Sequence, residues 1–346
     1  MNVYEIDPTT DARWDDLLQN HPQASIFHTP GWLEALKKTY DYTPVAFTTS
    51  PPGSPLTNAI PFCKINGFFG KPRLVSLPFS DHCEPLVTDK EQLDCLLAYL
   101  QQRRGAERWN YIELRPKTPV LAVGDEFRQS HTFLFHELDL RRDLDEIIQS
   151  THKDCIQRKI RRAEREELIC EQGTSDSLLS QFYQLLIGTR RRHGLPAQPI
   201  EWFRNLVDHL GERLTIRVVS QTGRAVASIL TLRFKHELVY KYGCSDHRLH
   251  NLGGIQLLLW RAIRDAKNDK LWTLDMGRTD PGNPGLVAFK NRWGTTRTES
   301  SYLRHPITAR DSLLTHGQSF ISTHFFARLP TNLTRAAGSL LYRYMA

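Results

Sequence analysis

Residues 214–277 read LTIRVVSQTGRAVASILTLRFKHELVYKYGCSDHRLHNLGGIQLLLWRAIRDAKNDKLWTLDMG. Three apolar segments, LTIRVVS, AVASILTLRF and LVYKYGCS, alternate in period two, carry β-branched residues and are separated by short polar breaks at 221–224 and 235–237. Such patterning specifies antiparallel strands joined by tight turns. Gly253-Gly254 then opens a stretch in which Ile255, Leu258, Leu259, Ala262, Ile263 and Ala266 recur at helical spacing. A short strand, LWTLDMG, follows, so the order is β-β-β-α-β.

The first half of the chain repeats that order. PVAFTT precedes a Pro-rich turn at 51–55; AIPFCKI, RLVSLPF, a helix over about 90–104 and the strand WNYIELR come after it. Glu113 in that last strand takes the place of Asp275 in the second copy. Helical stretches stand ahead of each meander, over 31–40 in one copy and over 177–192 and 200–210 in the other. The expected architecture is α+β, a tandem of two similar mixed-sheet domains over 1–140 and 141–305, followed by a basic helical tail over 306–346. The tail carries Arg310, Arg328, Arg335 and Arg343 against one acid, Asp311, and its end, LTRAAGSLLYRYMA, suits packing on the body or contact with an anionic leaflet.

Composition excludes other classes. With 346 residues, 40% of them apolar, seven Trp, sixteen Phe and eleven Tyr, the chain buries a core and is no disordered polymer. It has no apolar run of bilayer-spanning length, and the acidic start MNVYEIDPTTDARWDDLL argues against an export signal, which points to a cytoplasmic protein. The six cysteines form no CxxC and no metal-type cluster, so reduced thiols and no metal site are expected. The net charge of +7 suits a polyanionic partner.

Four places carry the residue types that chemistry needs. Gly253 and Gly254, between strand and helix, allow close backbone approach to an anion or acyl thioester, though steric demand alone also puts glycine in such turns. The loop GRTDPGNPGLVAFKNRWG, 277–294, combines turn formers with Phe289 beside Lys290. Its counterpart PFSDHCEPL, 78–86, crowds Asp81, His82 and Glu84 into four positions, either for proton transfer or for surface ion pairing. The helix THKDCIQRKIRRAEREEL, 151–168, puts Arg158, Arg162 and Arg165 on one face, suited to RNA or phosphate recognition or simply to solvent. A second basic cluster, Arg190 to Arg192, ends the helix before His193-Gly194.

The chain resembles the Fem-type (FemAB-like) aminoacyl- and acyltransferases, a branch of the GNAT acetyltransferase-fold superfamily built from two such domains. The matching stretches are SIFHTPGWLEAL (25–36), LPFSDHCEPL (77–86), the basic helix, YKYGCSD (240–246), NLGGIQLLLW (251–260) and GLVAFKNRWG (285–294). The resemblance implies that Lys290 stabilises the charge of a tetrahedral intermediate, that Phe289 helps place the acyl end, and that Asp81 supplies a carboxylate near the acceptor. It makes Tyr240 and Tyr242 a pair lining a substrate groove, with alternation along a strand leaving core or surface open for both. It places His82 and Arg190 near the acceptor. The implied reaction is amide formation from an activated donor, aminoacyl-tRNA or acyl-CoA, with no tightly bound cofactor. The acceptor is a primary amine, with a nucleotide- or lipid-linked cell-wall or exopolysaccharide precursor as a candidate and peripheral contact with the inner membrane surface as a corollary. No R-x-x-G-x-G coenzyme A turn is present, and the helical hairpin insert that helps some members hold transfer RNA is not visible. No cysteine sits in a nucleophile motif, so Cys155 and Cys170 read as helix-flank residues and no covalent intermediate is expected. The rival class is a non-catalytic module that holds RNA or a lipid-linked precursor.

Overall fold

A computed structural model describes residues 2–66, 71–118, 126–307 and 342–344. The chain divides into two compact units, one built on 1–133 with the returning segment from 299, the other on 134–298. The boundary thus falls inside a strand at 133/134, not at 140, and residues 299–305 belong to the first unit. The expected tail helix lies outside the described residues except for 342–344.

In chain order the first stretch forms β1 (Tyr4–Ile6), α1 (Trp14–Asn20), α2 (Pro30–Tyr40), β2 (Thr43–Thr48), β3 (Ile60–Ile65), β4 (Arg73–Val75), α3 (Lys90–Glu107), β5 (Ile112–Leu114) and β6 (Arg128–Asp139). There follow α4 (Leu144–Ser150), α5 (Arg158–Arg165), β7 (Ile169–Gly173), α6 (Asp176–Arg192), α7 (Ile200–Leu210), β8 (Leu214–Gln221), β9 (Arg224–Phe234), β10 (Glu237–Ser245), α8 (Gly254–Asn268), β11 (Thr273–Thr279), α9 (Pro284–Asn291) and β12 (Thr296–His305). Among the described residues no helix is long and apolar enough to cross a membrane.

Within the first unit β1 to β4 pair antiparallel in sequence order, β4 pairs β5 parallel, and the 303–305 end of β12 pairs β5 antiparallel. The FHTPGW entry sets α2 by local chemistry. Ser25 N donates to His28 Nδ1 (3.0 Å), Trp32 N donates to the Thr29 hydroxyl (3.4 Å), and Pro30 opens the helix where its missing N–H costs nothing. The face of α3 carrying Leu93, Leu96, Leu97 and Leu100 buries against Phe47, Phe62 and Ile112 of the strands.

The second unit repeats the plan. Strands β7 to β10 are antiparallel, β10 pairs β11 parallel, and the 134–139 end of β6 pairs β11 antiparallel. Helices α5 and α8 cover one face through Ile160, Leu257, Leu258 and Ile263. Helices α6 and α7 supply Phe182, Trp202 and Phe203 to a separate aromatic cluster with Tyr242. The two copies agree to the residue at the parallel pairing: Val75 faces Glu113, and Val239 faces Asp275.

Candidate active site

Parallel β10 and β11 share a ladder only over 237–239 and 273–275. Beyond it β10 stays with β9 as far as Ser245, while β11 stays with β6 as far as Thr279. The two strands therefore part, and α8 starts from this end of β10. Both carry a bulge where they separate. On β10, Tyr240 faces Thr231 and Tyr242 faces Leu230, which leaves Lys241 as the extra residue. On β11, three steps from Asp275 to Arg278 match two steps from Glu137 to Phe135. Bulges re-aim side chains and end pairing, and that is their effect here.

The β11 bulge holds the lysine singled out from the sequence. Asp275, fully buried, accepts the N–H of Gly277 on Oδ1 (2.6 Å), and Gly277 adopts φ 72°, a left-handed conformation open to glycine. Its carbonyl then accepts a hydrogen bond from Lys290 Nζ at 2.7 Å, and the Arg278 carbonyl accepts a second at 3.0 Å. Lys290 is brought there by α9, whose Asn283 Oδ1 caps Leu286 N (3.1 Å) and whose first residue is Pro284. Lys290 is buried, and Phe289 beside it is half-buried against the unit's core. An ammonium held in place by two carbonyls is a fixed positive charge of the kind that can stabilise a developing anion.

The bulge on β10 changes the expected tyrosine pair. Residues two apart on a regular strand share a face, but the extra Lys241 sends the two rings to opposite faces. Tyr240 packs with the core under α5 and α8, its hydroxyl lying where a Cβ on Gly243 would stand, and burial raises its pKa far above the usual phenol range. Tyr242 accepts from Trp202 Nε1 (3.0 Å) and donates to Gln198 Oε1 (2.8 Å) on the α6/α7 face. The two therefore do not line one groove together.

Gly253 and Gly254 are accounted for by packing. At Gly253, with φ 80°, a Cβ would lie 2.3 Å from the carbonyl oxygen of Lys159 on α5. At Gly254 it would lie 2.8 Å from Val219 and 2.9 Å from Ala227. The glycines let α8 seat on α5 and the sheet, and the protein itself fills the space beside them.

Arg190 is half-buried near the end of α6, and its neighbours Arg191 and Arg192 line an open pocket of about 520 Å³ with Ser245, Asp246, His247 and Arg248. Asp246 accepts from both Arg224 (2.6 Å) and Arg248 (2.7 Å), and the Arg248 contact holds its carboxyl well below the usual range. Sequence reading missed Asp246 and Arg248. On α5, Arg158 pairs with Asp154 (3.0 Å) and Arg162 with Glu166 (3.5 Å), while Arg165 is exposed.

Asp81 and His82 belong to the first unit, where the corresponding loop is tied down. Leu77 and Phe79 take positive φ (48° and 61°), Cys83 N donates to the Arg115 carbonyl (2.6 Å), and Leu86 and Ala59 exchange backbone bonds at 2.8 Å. The loop thereby folds back over the end of β5. Asp81 is half-buried and its carbonyl accepts from the Tyr302 hydroxyl (2.9 Å). His82 is buried, edge-on to Phe27. Glu84 serves as a backbone clamp, accepting from Lys117 N and Thr118 N on Oε1. Beneath them Glu113 is buried between Arg115 and Arg304, whose charges outweigh the cost of burial and hold its pKa at about 2.

Comparison with known proteins gives this geometry a class. Residues 150–291 match the family described as acetyltransferase (GNAT) domain. The structure of FemX superposes with a TM-score of 0.69 at 15% identity over 91% of this chain and 99% of that one. The structure of L-PGS from Bacillus licheniformis gives 0.55 at 14% identity over 93% and 98%, and a tandem GNAT protein from the clavulanic acid biosynthesis pathway gives 0.54 at 12% over 89% and 99%. Curated proteins provide no significant match in sequence. The fold is thus a tandem of two GNAT-type domains. The residues matched by the GNAT family lie within the second unit.

Proposed function

We propose that the protein forms an amide by moving an aminoacyl or acyl group from an activated donor to a primary amine, with an amine on a cell-envelope precursor as the acceptor. The observation that carries this reading is the Lys290 ammonium, buried and held on the Gly277 and Arg278 carbonyls where β10 and β11 part. The acceptor nitrogen uses its lone pair to attack the donor carbonyl carbon, and the carbonyl oxygen takes up negative charge opposite the lysine. As the intermediate collapses, the C–O bond to a ribose or the C–S bond to coenzyme A breaks. The leaving oxygen or sulfur keeps the electron pair and ends up with the proton that the amine gives up, so the products are the amide and a free hydroxyl or thiol. Holding both reactants in register supplies much of the acceleration. Asp81 is assigned to the acceptor amine on the likeness of its loop, with His82 and Arg190 as supporting substrate contacts; Tyr240 and Tyr242, engaged on opposite faces of β10, have no part in it.

Of the two donors, aminoacyl-tRNA is favoured by the basic residues of α5, which a coenzyme A thioester with its few phosphates would not need. Arg158, Arg162 and Arg165 are then available to RNA phosphates. An envelope precursor as acceptor, handled in the cytoplasm with peripheral contact to the inner membrane surface, follows from the Fem-type resemblance and is supported by the likeness to a structure titled as the C-terminal domain of a putative lysylphosphatidylglycerol synthetase. The test is to incubate the purified protein with either [14C]acetyl-CoA or [14C]aminoacyl-tRNA and a panel of primary amines, and to follow label into amide. No transfer from either donor, together with tight retention of unreacted tRNA, would move the chain to the class of binding modules.

A further inference from the structure

Strand β6 runs along the outer side of the β11 bulge, and its residue His136 lies between the two register partners that flank that bulge, Phe135 facing Arg278 and Glu137 facing Asp275. His136 is fully buried. Its Nε2 bonds Asn291 Oδ1 at 3.2 Å, and Asn291 is the last residue of α9, directly after Lys290. With the amide oxygen as acceptor, Nε2 carries the proton. The arrangement closes a ring: the bulge carbonyls hold the Lys290 ammonium, Lys290 adjoins Asn291, and Asn291 is tied to the strand opposite the bulge. We propose that His136 is a positioning residue for Lys290, fixing the last turn of α9 through Asn291 so that the ammonium stays on the Gly277 and Arg278 carbonyls.

A histidine chosen only to fill the core would be a costly choice at this place. Among the described residues, His136 Nδ1, Thr279 Oγ1 and Trp293 Nε1 are buried without a hydrogen-bond partner. Thr279 is the register partner of Leu134, which shares a strand face with His136, and Trp293 packs in one core cluster with Leu138 of that same face. A buried ring nitrogen left without a partner is destabilising, so an apolar ring or aliphatic chain would be more stable at position 136. What the imidazole supplies in return is the bond to α9. Burial and the nearby Lys290 charge also lower its pKa to about 4, which leaves the ring uncharged beside the ammonium at neutral pH.

This inference rests on the reading of Lys290 as the catalytic cation, and the experiment keeps the two apart. The reactivity of Lys290 is measured by trace labelling of the intact protein with acetic anhydride, read by peptide mass spectrometry relative to the exposed Lys153. In His136→Leu and in Asn291→Ala, which enters the same link from its exposed end and leaves the core untouched, Lys290 labelling should rise several-fold. His136→Gln, whose amide N–H reaches the Nε2 position, should keep the native rate, and His136→Asn, which is too short, should not. With the donor that supports transfer, kcat should fall on the order of 10- to 100-fold in the first two variants while donor KM stays within twofold, as expected of misplacement by a fraction of an ångström to 1 Å. Native labelling in both His136→Leu and Asn291→Ala would overturn the proposal. Full activity in Lys290→Met would instead remove the catalytic reading of Lys290, with the labelling result still deciding the positional link.

Discussion

The ammonium nitrogen of Lys290 stands 2.7 Å from the carbonyl oxygen of Gly277, a residue 13 positions earlier whose left-handed backbone turns that oxygen toward it. Neither residue could hold this geometry alone. The bulge releases the carbonyl from the ladder, and the helix start at Asn283-Pro284 sets the distance along α9 at which the lysine arrives. Lys290→Met keeps most of the side chain's length and removes its charge. Turnover should fall about 10²- to 10³-fold, the range for loss of an oxyanion-stabilising group, with little change in donor KM. Steady-state kinetics over a range of donor concentration checks this; a raised KM with unchanged kcat would make Lys290 a binding residue.

Gly253→Ala should destabilise the second unit by more than about 2 kcal/mol, because the new Cβ meets a backbone carbonyl 2.3 Å away and the residue is held at φ 80°. Lys159 cannot swing aside, since the obstructing atom is main chain on α5. Urea unfolding of the variant gives the number. A loss of donor affinity with native stability would restore the glycine to a ligand-binding role.

The two cases differ in how visible they were beforehand. Period-two runs such as AVASILTLRF and the 3.6-residue spacing from Ile255 to Ala266 depend only on neighbours in sequence, so strands β8 to β10 and helix α8 were legible, as was the shared place of Glu113 and Asp275. The bulge at Lys241 was not, because an extra residue is defined by the partner strand, and Thr231 and Leu230 must be placed before Tyr240 and Tyr242 can be sent to opposite faces. Likewise His136 reads as one more strand residue in HTFLFHELD until β11 pairs with β6 and α9 delivers Asn291. How the chain divides into units is hidden for the same reason. Residues 299–305 join the first unit by pairing with a strand nearly 190 positions earlier, the separation of Arg304 from Glu113 being 191. A local signal was present for the β11 turn, since Asp275-Met276-Gly277 is the spacing of a carboxylate that bonds the N–H two residues on.

Acid should destabilise the first unit in two stages. His28 is fully buried, burial lowers its pKa to about 4, and its ring bonds Ser25 and the Glu84 carbonyl. Between about pH 6.5 and 4 the unfolded chain takes up a proton there that the folded chain refuses, so stability falls as pH falls through that window. Glu113, held at about 2, acts in the next one: its contribution is complete above about pH 4.5 and is lost as pH drops toward 2. Urea midpoints measured from pH 7 to 3 should decline in both windows. His28→Gln should flatten the upper one, and Glu113→Gln should lower stability at pH 7 by about 3–5 kcal/mol by leaving Arg115 and Arg304 buried without their carboxylate.

The choice of donor can be read from salt. Arg158 and Arg162 are engaged with Asp154 and Glu166, but such exposed pairs four residues apart are worth only a few tenths of a kcal/mol, so they do not withhold either arginine from a phosphate. If the donor is aminoacyl-tRNA, its affinity should drop steeply with added salt, because every phosphate contact releases counterions. Replacing Arg158, Arg162 and Arg165 together by Gln should then flatten the log–log slope by about 2 to 3, at roughly 0.7 to 0.9 per contact. The donor's chemistry supplies the control. Acyl-CoA carries few phosphates, and its affinity should respond weakly to salt in both proteins. A triple variant that keeps native tRNA affinity and native slope would make the α5 arginines a solvated face stabilised by their own glutamate and aspartate neighbours. The case for tRNA over acyl-CoA would then be gone.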